Sequence, residues 1–86
     1  MSNKQRETYK NSFRNFSVLL PWKYFVEILT KTYNFDMENK SGSSRIFVKS
    51  DERFSAHEPH GREPYVSLED RKKAIRALIR LGDMEE

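Results

Sequence analysis

The chain holds two histidines, and they stand almost together in His57-Glu58-Pro59-His60-Gly61. Imidazole takes and gives a proton near neutral pH, so this stretch is the first place to look for acid–base chemistry. A metal reading needs a third ligand. The spacing is also not that of a His-Glu-x-x-His helix, and Pro59 opposes a helix here. The plainer alternative is a pair of histidines that shape a turn. Serines come next: Ser41, Ser43 and Ser44 surround Gly42. None stands in the Gly-x-Ser-x-Gly elbow of serine hydrolases, and hydroxyls around a glycine commonly bond the nearby backbone of a turn. There is no phosphate-cradling glycine loop and no dinucleotide fingerprint. Cysteine is absent, which removes thiolate nucleophiles, disulfides and Cys-ligated zinc. No cofactor or metal is expected.

The cations carry more information than the overall charge. Lys72, Arg76 and Arg80 recur every four residues and so share one face of any helix through them, with Arg71 and Lys73 beside the row. Against Glu69 and Asp70 these five leave residues 67–81 at +3, as much as the whole chain. Such a stripe can follow a line of phosphates, each contact releasing counterions and making affinity salt-sensitive. An ordinary solvated helix face has the same composition.

The elements that must position these residues follow from pattern. In 86 residues there is room for one small domain, burying only roughly 60–65% of its unfolded surface. Near-balanced charge and 13% aromatic residues argue against a disordered chain. The longest mostly apolar run, Val18 to Trp22, is far too short to span a bilayer, and the polar start from Met1 to Arg14 does not read as a signal peptide. A cytoplasmic protein with no membrane partner is expected.

Tyr9, Phe13 and Phe16 fall at helical spacing, so residues 8–16 form either a short amphipathic helix or a frayed tail. Pro21 opens a helix over residues 21–33, with Trp22, Phe25, Val26, Ile28 and Leu29 on one face and Asn34 as its stop. Three strands follow over residues 35–40, 45–49 and 53–57, separated by the Gly42 turn and a compact connection at residues 50–52. Pro59, Gly61 and Pro64 interrupt regular structure. Ser67 caps a last helix with Leu68, Ile75, Leu78 and Ile79 as its buried stripe, and Gly82 ends it. The expected fold is α+β: a three-stranded antiparallel sheet with helices on one face. An N-terminal extension spans residues 1–20, the domain spans residues 21–82, and residues 83–86 form an acidic tail.

Residues 21–82 resemble the HicA (YcfA-like) toxins of bacterial type II toxin–antitoxin systems. The matching pieces are the helix from Pro21 to Tyr33, a strand leading into Gly42-Ser43-Ser44-Arg45-Ile46-Phe47, the His57-Glu58-Pro59-His60-Gly61 stretch and the basic helix ending at Gly82. The motifs are short, and their order and spacing count for more than any one of them. The resemblance implies a double-stranded-RNA-binding-like fold, α-β-β-β-α. It also implies an mRNA endonuclease that needs no metal and is held inactive by a HicB-type antitoxin.

The family's catalytic His follows Gly-Ser, and here that position is Ser44. A hydroxyl cannot accept a proton near pH 7, and losing such a base removes roughly 10²–10⁴-fold in rate. Three readings stand side by side: a relative that binds RNA or a partner without cutting, a toxin carrying a detoxifying substitution, or an enzyme in which His57, at the second family His, takes over as base. Lys72, Arg76 and Arg80 are expected to hold the RNA backbone, with Arg45 and Arg62 nearer any reacting phosphate. A non-enzymatic interaction module, docking a partner through Tyr9, Phe13 and Phe16, is the alternative.

Overall fold

Phe47 and Phe54 face each other across two antiparallel strands, and the rest of the molecule is arranged to cover them. The computed structural model describes residues 3–61 and 64–86. The expectation attached to Arg62 lies outside the described residues. Helix α1 (Asn3–Asn11) is followed by α2 (Trp22–Glu27), which continues into a π-helical turn, Ile28–Thr32. Strands β1 (Asp36–Asn39), β2 (Ser44–Lys49) and β3 (Glu52–His57) come next, and α3 (Leu68–Arg80) closes the order. The sheet runs β1-β2-β3, antiparallel throughout, so the expected α+β class with its three-stranded antiparallel sheet is what the chain forms.

Alternation along the strands sorts the side chains. Arg45, Phe47 and Lys49 share a face with Glu52, Phe54 and Ala56, and this face meets the helices. Phe25 and Trp22 from α2 pack on Phe47 with ring centroids 5.7 and 6.4 Å away, and Phe35 closes on Phe54 at 5.7 Å. Ser44, Ile46 and Val48 share the other face with Arg53, Ser55 and His57. Gly42 takes φ +60° in the β1–β2 turn, a conformation that costs glycine little.

Local signals explain the ends of α3. Ser67 Oγ accepts from the Asp70 N–H at 3.1 Å, and beyond Gly82 (φ +80°) the Asp83 N–H returns to the Leu78 carbonyl at 2.9 Å. Ile75 and Leu78 are buried as the pattern predicts, but Leu68 is 47% exposed. The buried positions of that first turn belong instead to Asp70 and Arg71. Asn34 at φ +64° ends the second helical segment, whose last turn widens so that the Tyr33 N–H bonds Ile28 rather than Leu29.

The N-terminal segment differs from its pattern. Its helix ends at Asn11, five residues before Phe16. Tyr9 stacks on Tyr24 at 4.8 Å, and Phe13 is buried against Phe25 at 5.9 Å, but Phe16 stays 38% exposed. The reason lies in the carbonyls of Ser12, Phe13 and Asn15. A continuing helix would give them to N–H groups four residues on, whereas here all three accept from Arg71, and those of Ser12 and Asn15 also accept from N–H groups three residues on.

Candidate nucleic-acid interface

Two of the concavities along α3 share no lining residue. The first, of about 520 Å³, lies where the end of β3 meets the start of α3 and is bordered by His57, Glu58, His60, Tyr65, Asp70 and Lys73, among others. The edge strand is tied to the helix there. The His57 N–H donates to Asp70 Oδ2 at 3.0 Å, and Lys73 Nζ donates to the Ser55 carbonyl at 3.3 Å while standing 3.6 Å from Asp70 Oδ1. Asp70 and Lys73 thus occupy outward backbone groups of β3 that would otherwise be open to another strand.

Ser44 sits directly across from His57 in the β2–β3 register, so the two side chains project from the same face as neighbours. Arg45 projects from the other face and is committed. Its Nη2 is 3.0 Å from Glu58 Oε1, and Nη1 donates to the Gly42 and Ser44 carbonyls at 2.9 and 3.0 Å. Carboxylates of Glu58, Glu69 and Asp70 share this cavity with a single lysine. Among the described residues, no group of three or more His, Asp or Glu is disposed to hold a metal ion.

The second concavity, a groove of about 260 Å³, is bordered by Arg14, Phe16, Lys72, Ile75 and Arg76. Phe16 and Ile75 supply an apolar floor and the three cations supply the rim. Lys72 and Arg76 are exposed, and among the described residues neither lies within ion-pair distance of a carboxylate. Lys72 Nζ stands 5.6 Å from the Phe16 ring centroid, within cation–π range. Arg14 donates to the main-chain oxygens of Glu85 and Glu86, which brings the acidic tail to the mouth of the groove.

Arg80, the third member of the stripe, is placed differently. Its Nε and Nη2 grip Glu52 Oε1 at 2.9 and 2.8 Å. That hydrogen bond holds the Glu52 carboxyl below its ordinary range and raises the Arg80 guanidinium. Lys72 and Arg76 therefore come together on the groove, and Arg80 faces the β2–β3 connection.

Arg71 is what the pattern reading passed over. It is 1% exposed and gathers four carbonyls, of Val18 at 2.8 Å, Ser12 at 3.1 Å, Phe13 at 2.9 Å and Asn15 at 3.3 Å. Only its Nε lacks a partner, and burial lowers its pKa. Its guanidinium lies 5.2 Å from the Phe16 ring centroid, so Arg71 fixes the loop that forms one wall of the groove. A signal was available: positions 71, 74, 75 and 78 follow the core spacing of α3, and a cation at a core position implies buried acceptors.

The chain is therefore an α+β protein with a cationic, aromatic-floored groove on one side of its last helix and a histidine-bordered cavity on the other. Comparison with protein-family models, with curated proteins and with solved structures gave no match. Among the described residues no helix is long and apolar enough to cross a membrane.

Proposed function

We propose that the protein binds RNA along the basic face of α3 and is a HicA-like member of the toxin class whose cleavage is weakened or absent because Ser44 stands where that family has its catalytic His. The observation that carries the binding half is the groove. Lys72 and Arg76 stand exposed over an apolar floor with no carboxylate at ion-pair distance among the described residues, an arrangement suited to phosphates with attached bases. The order of helix, three strands and helix is in keeping with the double-stranded-RNA-binding-like fold that the resemblance implies. In this reading the target is mRNA and the inhibiting partner a HicB-type protein.

The register supports the second half. A histidine at position 44 would stand beside His57 across the β2–β3 ladder, giving the base and acid that a metal-independent ribonuclease uses. With serine at 44, the cross-strand neighbour of His57 is a hydroxyl rather than an imidazole.

The binding half is tested by the salt dependence of RNA affinity. Replacing Lys72 and Arg76 together by Ala should weaken binding about tenfold or more. It should also reduce the slope of log K against log salt by about 1.4, two phosphate contacts at roughly 0.7 each on a single strand. Arg80→Ala should leave both quantities close to wild type, because Glu52 already holds that guanidinium. An unchanged slope in the Lys72/Arg76 variant makes the stripe a solvated face and nothing more.

A further inference from the structure

We infer that the groove receives one unpaired nucleotide, its base lying on Phe16 and its flanking phosphates on Lys72 and Arg76. This rests on the RNA reading above and narrows it to single-stranded segments.

The starting point is that Phe16 is exposed in a molecule that buries Phe13, Phe25, Phe35, Phe47 and Phe54. The ring is partly exposed and held between cations. The Arg71 guanidinium lies 5.2 Å from its centroid, and Arg71 is itself pinned by carbonyls on both sides of Phe16 in the chain. A ring fixed in advance loses little entropy when a ligand packs on it. Ile75 extends the apolar floor, and Lys72 and Arg76 lie one helical turn apart on the rim.

A floor of this kind between two cations that meet no carboxylate among the described residues matches a nucleotide, which joins a planar apolar face to a diester charge on each side. Base–aromatic stacking tolerates any base, since every base has a π-face. In a duplex those faces are covered by neighbouring pairs, so a helix would meet only the rim. An acidic peptide satisfies the cations but brings nothing planar to Phe16.

The test is fluorescence anisotropy on the full chain with four probes: a single-stranded oligoadenylate, an RNA duplex, an abasic ribose–phosphate strand of the same length, and an oligoglutamate peptide. Wild type should bind the oligoadenylate more tightly than the other three. Phe16→Leu should weaken the oligoadenylate about tenfold, as expected for one lost base–aromatic stack, and leave the abasic strand unchanged. Phe16→Tyr should restore stacking. Circular dichroism and the unfolding midpoint of each variant separate lost stacking from lost fold. If Phe16→Leu binds oligoadenylate like wild type while the Lys72/Arg76 double variant does not, the stacking inference fails and the RNA reading stands. Equal binding of duplex, abasic strand or oligoglutamate also overturns the inference. If wild type binds no RNA at all, both readings fall.

Discussion

The groove and the histidine cavity rest against the same helix, yet they treat charge in opposite ways. In the cavity, two of the three carboxylates are answered by neighbouring groups. Asp70 is shared between the His57 N–H and Lys73, and Glu58 is held by Arg45. In the groove, Lys72 and Arg76 meet no carboxylate among the described residues, and Arg14 turns to the main-chain oxygens of Glu85 and Glu86. Two of the cavity's carboxylates are thus met by neighbouring groups, whereas Lys72 and Arg76 meet no carboxylate among the described residues although the acidic tail reaches the mouth of their groove. A count of basic residues cannot distinguish the two, because availability depends on pairing. The same lesson applies within the stripe, where Arg80 has the spacing of Lys72 and Arg76 but is already held by Glu52.

The contrast can be pressed hardest on the cavity side. Ser44→His should turn a silent or barely active protein into one that cuts RNA in EDTA, with a gain of roughly 10²–10⁴-fold. Its affinity for RNA should not change, since the groove is untouched. If wild type and variant cut equally, His57 suffices as the base. If both are silent, the cavity has no ribonuclease chemistry and the groove defines the protein.

A smaller but still large effect belongs to Arg71. Arg71→Met keeps the buried stem but takes the side-chain donor from four carbonyls, of which Ser12 and Asn15 keep a backbone N–H partner while Val18 and Phe13 have none among the described residues. Hydrogen bonds from a charged donor contribute roughly 1.5–3 kcal/mol each when isolated, so even with relaxation of the loop about 3 kcal/mol of unfolding free energy should go. Denaturant titration measures it. The folded fraction should also lose RNA affinity through the displaced Phe16, while hydrogen-exchange protection of the His57 amide should persist. Loss of less than about 0.5 kcal/mol, the usual size of a surface substitution, would mean that the loop is held by Phe13 and Leu20 alone.

The gentlest test concerns Glu52 and Arg80. The native Glu52 carboxyl titrates below its unfolded value, so between those two pKa values the unfolded chain binds more protons. The contribution is present above the unfolded pKa and is lost as pH falls through the lowered native one. Arg80→Ala removes the hydrogen bond that causes the shift. Thermal midpoints of the two proteins should differ at neutral pH and converge in acid, and curves that stay parallel to the lowest pH would show that the pair is not coupled to folding.

Much of the framework can be read locally. The Ser67 cap, the Gly82 exit, the Asn34 stop and the Gly42 turn all depend on contacts within a few residues, and the strand run Arg45 to Lys49 declares itself by composition. The register that sets Ser44 opposite His57 follows from a two-residue connection between β2 and β3 and from the need to bury Phe47 and Phe54 on one face. The site is less legible. The histidines and the cationic spacing are visible as residues, but Phe16 reads as part of a buried stripe and Arg71 as a bystander.

What the sequence determined by itself is therefore the set of elements, their caps and the alternation that chooses which sheet face is buried, because short-range sterics and hydrophobic periodicity govern these. Tertiary structure alone decided which cations of α3 are already held. Arg80 meets a carboxylate 28 positions away and Arg71 meets carbonyls more than 50 positions away. Those partners leave no mark on the local pattern, since an ion pair or a buried hydrogen bond is selected by distance in space once the helices have packed, and the charge of each side chain is the same before and after.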